Sequence, residues 1–290
     1  MERSLPRRIV ITVILGIAAA ASGIAAYTAY NDKLELDRIY EMIKYAELGA
    51  DPHGLYSGYS VEELCEGYEK PPYFFDKVLI EDFPVISQYP ELPTGCEITC
   101  GAALLQYLGF DADKAALCDM FMRQNNNFYM DDRNVLHGPD PEYSFAGDPR
   151  GHGYGCYEKV IADALNSYFM SEGESERYEA VTLPGLNTAD MEKLLDKGVP
   201  VIVWASGGME VYRYSDQSKW VITGTTREVE WLGNSHTLVL VGYDQNAYYF
   251  MDCGEAAAIV PYSKEAFSLR FAEHGRRACA VKIKDKDIEN

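Results

Sequence analysis

An uncharged, mostly apolar run extends from Ile9 to Tyr30. Arg3, Arg7 and Arg8 precede it, and Asp32 and Lys33 follow. An apolar helix of about 20 residues matches the hydrocarbon thickness of a bilayer. The flanking charges predict a cytoplasmic N-terminus with the rest of the chain outside. Residues 1–30 are therefore expected to be a membrane anchor or a secretion signal. Gly23-Ile24-Ala25 offers a small-residue cleavage site, but the apolar cores of signals usually span about 7–15 residues. The longer run here favours a retained single-pass anchor, with a secreted form after cleavage as the alternative.

Behind this segment, Leu34, Ile39, Tyr40, Ile43 and Leu48 recur at helical spacing. The Gly-, Pro-, Tyr- and Ser-rich stretch Gly49–Tyr73 reads as a linker or an irregular wrap. Ser60-Val61-Glu62-Glu63 has the form of a capping box. Residues 31–79 are thus expected to be a stalk with a short helix, and residues 80–285 a single catalytic-sized domain. Short strands are predicted at Val78–Ile80 and Val85–Gln88. A helix is predicted at Cys96–Leu108, closed by Gly109. A second begins near Asp113. Asn125–Gly155 is polar and rich in Gly and Pro, and reads as a long functional or mobile loop. Helices at Tyr157–Phe169 and Met191–Lys197 follow, the latter capped by Thr188 or Asp190. Val199–Ala205 is a buried strand by its continuous apolar character. His236–Tyr243 and Tyr248–Asp252 read as strands joined at Asp244-Gln245-Asn246, and Ala278–Ile283 as the last strand. Helices precede antiparallel strands, which is an α+β pattern, and no internal repeat is present.

The chain has 290 residues, 47% of them hydrophobic, which is enough apolar mass for a real core. Its 26 basic and 45 acidic residues give a net charge of -19. Beyond residue 30 the balance is 23 basic against 44 acidic residues, or -21. Nucleic acid is excluded as the main partner, because phosphate binding needs basic patches. An acidic body favours basic or neutral peptides near its surface. Seven Cys stand at 65, 96, 100, 118, 156, 253 and 279. The odd count leaves at least one free thiol, and no paired C-x-x-C knuckles point to zinc. An extracytoplasmic domain permits disulfides, but the spacing assigns no pairs.

One constellation carries chemistry. Pro93-Thr94-Gly95 breaks the chain and Cys96 opens an apolar helix. A thiol at a helix N-terminus feels the positive end of the dipole, which favours the nucleophilic thiolate. Gly95 is expected to leave room for a substrate backbone. The Gln88 side-chain amide and the Cys96 backbone N–H are candidate oxyanion donors. His236, at the head of an apolar strand, is the candidate base, and Asp252 the carboxylate that orients it. A symmetric hairpin would pair His236 with a residue near 255, leaving Asp252 about 10 Å away along the strand. A bulge or an asymmetric turn must close that offset. Glu97 reads as a partner of the helix dipole, Cys100 as core, His152 as a solvated loop residue, and Trp204, Trp220 and Trp231 as core packing. Acidic runs such as Glu172–Glu179 read as solvated faces.

The stretch Ser87-Gln88-Tyr89-Pro90-Glu91-Leu92-Pro93-Thr94-Gly95-Cys96-Glu97-Ile98-Thr99 resembles the nucleophile region of stand-alone relatives of cysteine peptidase family thirty-nine. The segments 147–157, 198–204 and 236–244 follow in the order that family shows. The resemblance covers roughly Asp82 to Ile283. It implies a papain-like cysteine peptidase fold, with N-terminal helices packed on an antiparallel sheet. It also implies Cys96 as nucleophile, His236 as base, Asp252 as orienting acid and Gln88 as oxyanion donor, with no cofactor or metal. The family often has Pro where this chain has Cys253, and no transporter domain accompanies the peptidase. The expected activity is an extracytoplasmic thiol peptidase acting on a peptide or protein. The alternatives are an amidase or acyltransferase on cell-wall peptide, and an inactive papain-like surface binding module.

Overall fold

The computed structural model of the protein describes residues 56–71, 73–74, 77–213, 218–254 and 256–284. The expected anchor at 1–30 and the helical stretch at 33–48 lie outside the described residues. Among the described residues, no helix is long and apolar enough to cross a membrane.

The chain begins with a one-turn helix α1 (Val61–Leu64) and two short strands, β1 (Tyr73–Phe74) and β2 (Lys77–Leu79). Helices α2 (Cys96–Tyr107) and α3 (Lys114–Met120) come next. Five short strands follow: β3 (Gln124–Asn125), β4 (Tyr129–Met130), β5 (Leu136–Gly138), β6 (Phe145–Gly147) and β7 (Gly153–Gly155). Then come α4 (Glu158–Ser171), β8 (Tyr178–Thr182), α5 (Thr188–Asp196) and β9 (Val201–Ser206). The last part holds β10 (Lys219–Ile222), β11 (Glu228–Glu230), β12 (Ser235–Tyr243), β13 (Ala247–Asp252), β14 (Ala258–Ser263), α6 (Lys264–Glu273) and β15 (Ala278–Ile283).

The main sheet runs β1-β2-β12-β9-β15-β8, with β13 on β12 and β14 on β13, and its pairings are antiparallel. All six positions of β9 are buried, as are Thr237–Gly242 of β12. That accounts for their continuous apolar character, since a strand buried on both faces shows no alternation. Helix α2 packs against β12, α3 and α4, and every residue from Cys96 to Leu105 is buried. A helix covered all round has no polar stripe, which is why this one reads as a nearly unbroken apolar run. The helix that holds the candidate nucleophile is thereby fixed in the core.

The residues before the sheet wrap onto the domain. Ser60 caps α1 in a full capping box with Glu63. The Tyr56 hydroxyl donates to Asp190 at 2.8 Å, and Lys282 Nζ donates to the Glu63 carbonyl at 2.7 Å.

Several expectations need correction. Val85–Gln88 forms no ladder; instead Gln88 N–H donates to the Cys253 carbonyl at 2.8 Å. The expected loop 125–155 holds β3 to β7 and is not structureless. β4 and β5 join β10 and β11 in a second sheet, while β3, β6 and β7 form a third. A small core of Trp220, Trp231, Ile222, Val229 and Ala146 sits there. Strands β3 to β7 are only two or three residues long, too short to display a period, and β5 pairs with β10 more than 80 positions on. Helix α5 starts earlier than expected, and its cap is the Asn187 side chain, which accepts from Asp190 N–H.

Candidate active site

The segment before α2 is built to hold Cys96. Gly95 N–H bonds the Leu92 carbonyl at 2.9 Å, and the Gln88 side-chain amide donates to the Pro93 carbonyl at 2.6 Å. A side chain at Gly95 would come within 2.9 Å of Leu92 Cβ and 3.4 Å of Pro149. The space at Gly95 is therefore taken by the protein's own loops, and is not the slot for a substrate backbone that the sequence suggests.

Cys96 is the first residue of α2 and is 8% exposed. Its thiol donates to Glu97 Oε2 at 3.3 Å. Burial, and then the Glu97 charge, push the thiol well above its ordinary range, while the Thr237 backbone N–H pulls it down. The helix N-terminus therefore does not alone yield a resting thiolate. A proton acceptor is required.

The candidate acceptor opens onto the same cleft. His236, on the second residue of β12, opens with Cys96, Gln88, Tyr154, Trp231 and Asn234 onto a hollow of about 290 Å³. His236 Nε2 lies 2.7 Å from Asp252 Oδ1. With Nε2 engaged by the carboxylate, Nδ1 is the ring nitrogen left to exchange a proton. Asp252 Oδ1 also accepts the Gly254 N–H at 2.9 Å, and Oδ2 accepts the Tyr262 hydroxyl at 3.2 Å.

The hairpin register explains how two residues sixteen positions apart meet. Near the turn Tyr243 opposes Tyr248 and Gly242 opposes Tyr249. Beyond a bulge at Val241 the register changes, so Leu238 opposes Asp252. Without the bulge, Asp252 would oppose Val239 and point to the other face from His236, because side chains alternate. With it, Asp252 shares the His236 face and sits diagonally opposite, a distance that longer side chains bridge. The Ile80 N–H takes the Val241 carbonyl at 2.8 Å, so the bulge leaves that group satisfied.

The two charges support one another. Burial acts to lower the His236 pKa, but the Asp252 hydrogen bond and nearby negative groups outweigh it, and the net shift is upward from 6.5. Burial acts to raise that of Asp252, but His236, the Gly254 N–H and Tyr262 outweigh it, and the net shift is downward from 3.8. The His236 share of stability is complete below 6.5 and is lost as pH rises through the folded value. The Asp252 share is complete above 3.8 and is lost as pH falls through its folded value. Urea unfolding of Asp252→Asn should therefore show the greatest destabilisation near the middle of this window, about pH 5, and a smaller one at pH 8. A deficit independent of pH would mean that the pair is not charged in the folded protein.

Gln88 is buried beside Cys96 and shares the cleft. One of its amide hydrogens is held by Pro93, which fixes the side chain and leaves the second. Cys253, fully buried, backs the site: its sulfur is 3.5 Å from Gln88 Oε1, 3.7 Å from the Cys96 carbonyl and 3.9 Å from the Cys100 sulfur. All seven cysteines are free thiols. Cys65 is the most exposed of them, and burial pushes its thiol up to about 11. His152 is exposed in the β6–β7 loop. Trp204 is core, with its indole N–H on the Cys156 carbonyl at 2.8 Å, and Trp220 packs in the small core. Trp231 packs there too and also lines the cleft. Sequence reading missed Tyr262, whose strand β14 carries no signal near Asp252, and the burial of Glu97. A larger hollow of about 450 Å³ lies beside Cys65, between α1 and α5. It is lined by lysines and acids without a nucleophile–base pair, so size does not select the site.

This fold and order of segments have known counterparts. Residues 80–279 match the family described as Peptidase_C39 like family. The chain belongs to that family. A crystal structure from Bacillus anthracis, described as a C39-like peptidase, superposes with a TM-score of 0.60 at 26% identity, covering 72% of this chain and 99% of that one. The chain is also 27% identical over 164 residues to the uncharacterized protein YvpB of Bacillus subtilis (strain 168). That match spans 56% of this chain and 59% of the relative's length. The fold is thus α+β with an antiparallel sheet, of the C39-like peptidase kind.

Proposed function

We propose that the protein is a thiol-dependent peptidase of papain-like mechanism, with Cys96 as nucleophile, His236 as base, Asp252 as orienting acid and Gln88 as oxyanion donor. The observation that carries this reading is the 2.7 Å His236–Asp252 hydrogen bond at the wall of the cleft onto which Cys96 opens. His236 takes the Cys96 proton, and the thiolate attacks the peptide carbonyl carbon. The oxyanion that forms is met by the Gln88 amide and the Cys96 backbone N–H. The imidazolium then protonates the leaving amine as the C–N bond breaks, leaving a thioester on Cys96. His236 next takes a proton from water, hydroxide adds to the thioester, and the thiol and a carboxylic acid are released. Asp252 keeps the imidazole oriented and stabilises its charged form throughout.

The charge pattern around Ile9–Tyr30 supports a domain held outside the cytoplasm by a single-pass anchor. A net charge of -19 supports basic or neutral peptides as substrates. Digestion of a mixed peptide library by the full chain, read by mass spectrometry, tests the activity. New termini should appear, cluster at a limited set of bonds, and vanish when the protein is treated beforehand with a thiol-directed epoxide. Cleavage that survives the epoxide sinks the reading.

A further inference from the structure

The carboxyl next to the nucleophile is not where a dipole partner belongs. Glu97 is only 3% exposed, although it occupies the first turn of a helix, where acidic side chains usually face water. Oε1 accepts the Cys156 N–H at 3.0 Å, and Oε2 receives the Cys96 thiol at 3.3 Å. Gly155 makes this placement possible. Its backbone has φ +140°, and a Cβ there would overlap Glu97 Oε1 and come within 2.6 Å of Trp231. The chain thus leaves out a side chain at Gly155 so that a carboxyl can reach the reacting sulfur.

Resting on the reading of Cys96 as nucleophile, we infer that Glu97 is a further catalytic residue: protonated, it donates a hydrogen bond to the Cys96 thiolate, and ionised, it locks Cys96 as a thiol. The proton count supports this. With Glu97 neutral and His236 uncharged, the Cys96 proton passes to His236, giving thiolate and imidazolium, and the Glu97 O–H turns toward the sulfur. With Glu97 ionised, the same transfer would set two anions in contact within a buried site, where charges are weakly screened. The thiol then stays protonated and donates to the carboxylate.

Burial pushes the Glu97 carboxyl up to about 7, against the pull of the Cys156 N–H. The titratable groups facing it are Cys96 on its own helix, Cys156 after β7 and His236 on β12, with Cys118 of α3 and Cys253 after β13 further off. Of these, the Cys96 thiol by its hydrogen bond and His236 by its charge favour the ionised carboxyl. The nucleophile is thus released where Glu97 is neutral while His236 can still take the thiol proton, and is held back once Glu97 ionises.

The test is the pH dependence of iodoacetamide alkylation of the full chain, with the adduct at Cys96 quantified by peptide mass spectrometry. Wild-type alkylation at Cys96 should level off or fall above pH 7. Glu97→Gln keeps the hydrogen bonds and removes the charge. At pH 8 it should react at least about tenfold faster than wild type, the effect of about one pKa unit on the thiol. At pH 5.5 the two should agree within about threefold, since there both side chains are neutral. Coincident profiles at pH 8, or a slower variant, overturn the inference. Alkylation of wild type mainly at another cysteine instead overturns the proposed function. A measurement on wild type alone guards against a variant that fails to fold. Infrared difference spectra of the full chain before and after alkylation should show a buried carboxylic acid band at pH 6 that is absent at pH 8. No such band at pH 6 overturns the inference.

Discussion

Cys96→Ala is expected to lower kcat/KM for peptide cleavage by on the order of 10⁴-fold or more while leaving the fold intact. Removal of the nucleophile eliminates the covalent route, and a residual rate survives only from the oxyanion donors and from binding. The fold is expected to tolerate the change, because alanine is a good helix former and Cys96, although part of the buried core, also opens onto the cleft. Comparing cleavage of the same peptide bonds by wild type and variant, with circular dichroism to confirm folding, checks both halves. If Cys96→Ala retains the biological effect, the chain acts as a binding module and not as an enzyme.

His236→Ala is expected to be nearly as damaging. In the folded protein the Cys96 thiol is held up by burial and by the Glu97 charge. Glu97 accepts its hydrogen bond but, once ionised, disfavours a thiolate beside it, which leaves His236 to take the proton. The loss should again be on the order of 10⁴-fold, and Cys96→Ala combined with His236→Ala should cost little more than either alone, because the two act as a unit. Asp252→Asn should cost less than removal of His236, since the imidazole remains but loses its charged partner. Additive losses in the double variant would mean that the two residues serve separate functions.

The sequence and the structure diverge in instructive places. Helix α2 and strands β9 and β12 are legible because burial on all sides leaves an apolar signature that no surface element has. The Cys96–His236–Asp252 set is legible as residue types in order. The need for a bulge or an asymmetric turn is legible from the offset between them, but its position at Val241 is not, because it is set by pairing between β12, β13 and β2 and leaves no local mark. Yet that one residue decides the face on which Asp252 lies. The strands β3 to β7 are equally silent, as each is too short to show a period. Their order depends on Trp220 and Trp231, which arrive much later in the chain. Glu97 misleads for another reason. An acidic residue in the first turn of a helix is normally explained by the dipole, and only the neighbouring Gly155 reveals that the carboxyl turns inward.

The central claim is that Cys96 reacts as a nucleophile because His236 and Asp252 draw off its proton. The full chain at pH 6.5, mixed with less than one equivalent of iodoacetamide and mapped by mass spectrometry, tests this most directly. The account predicts the adduct at Cys96, ahead of the more exposed Cys65, whose thiol is held up at about 11. It also predicts that the preference is lost in His236→Ala. Labelling led by Cys65, or a Cys96 adduct unchanged by His236→Ala, would contradict it.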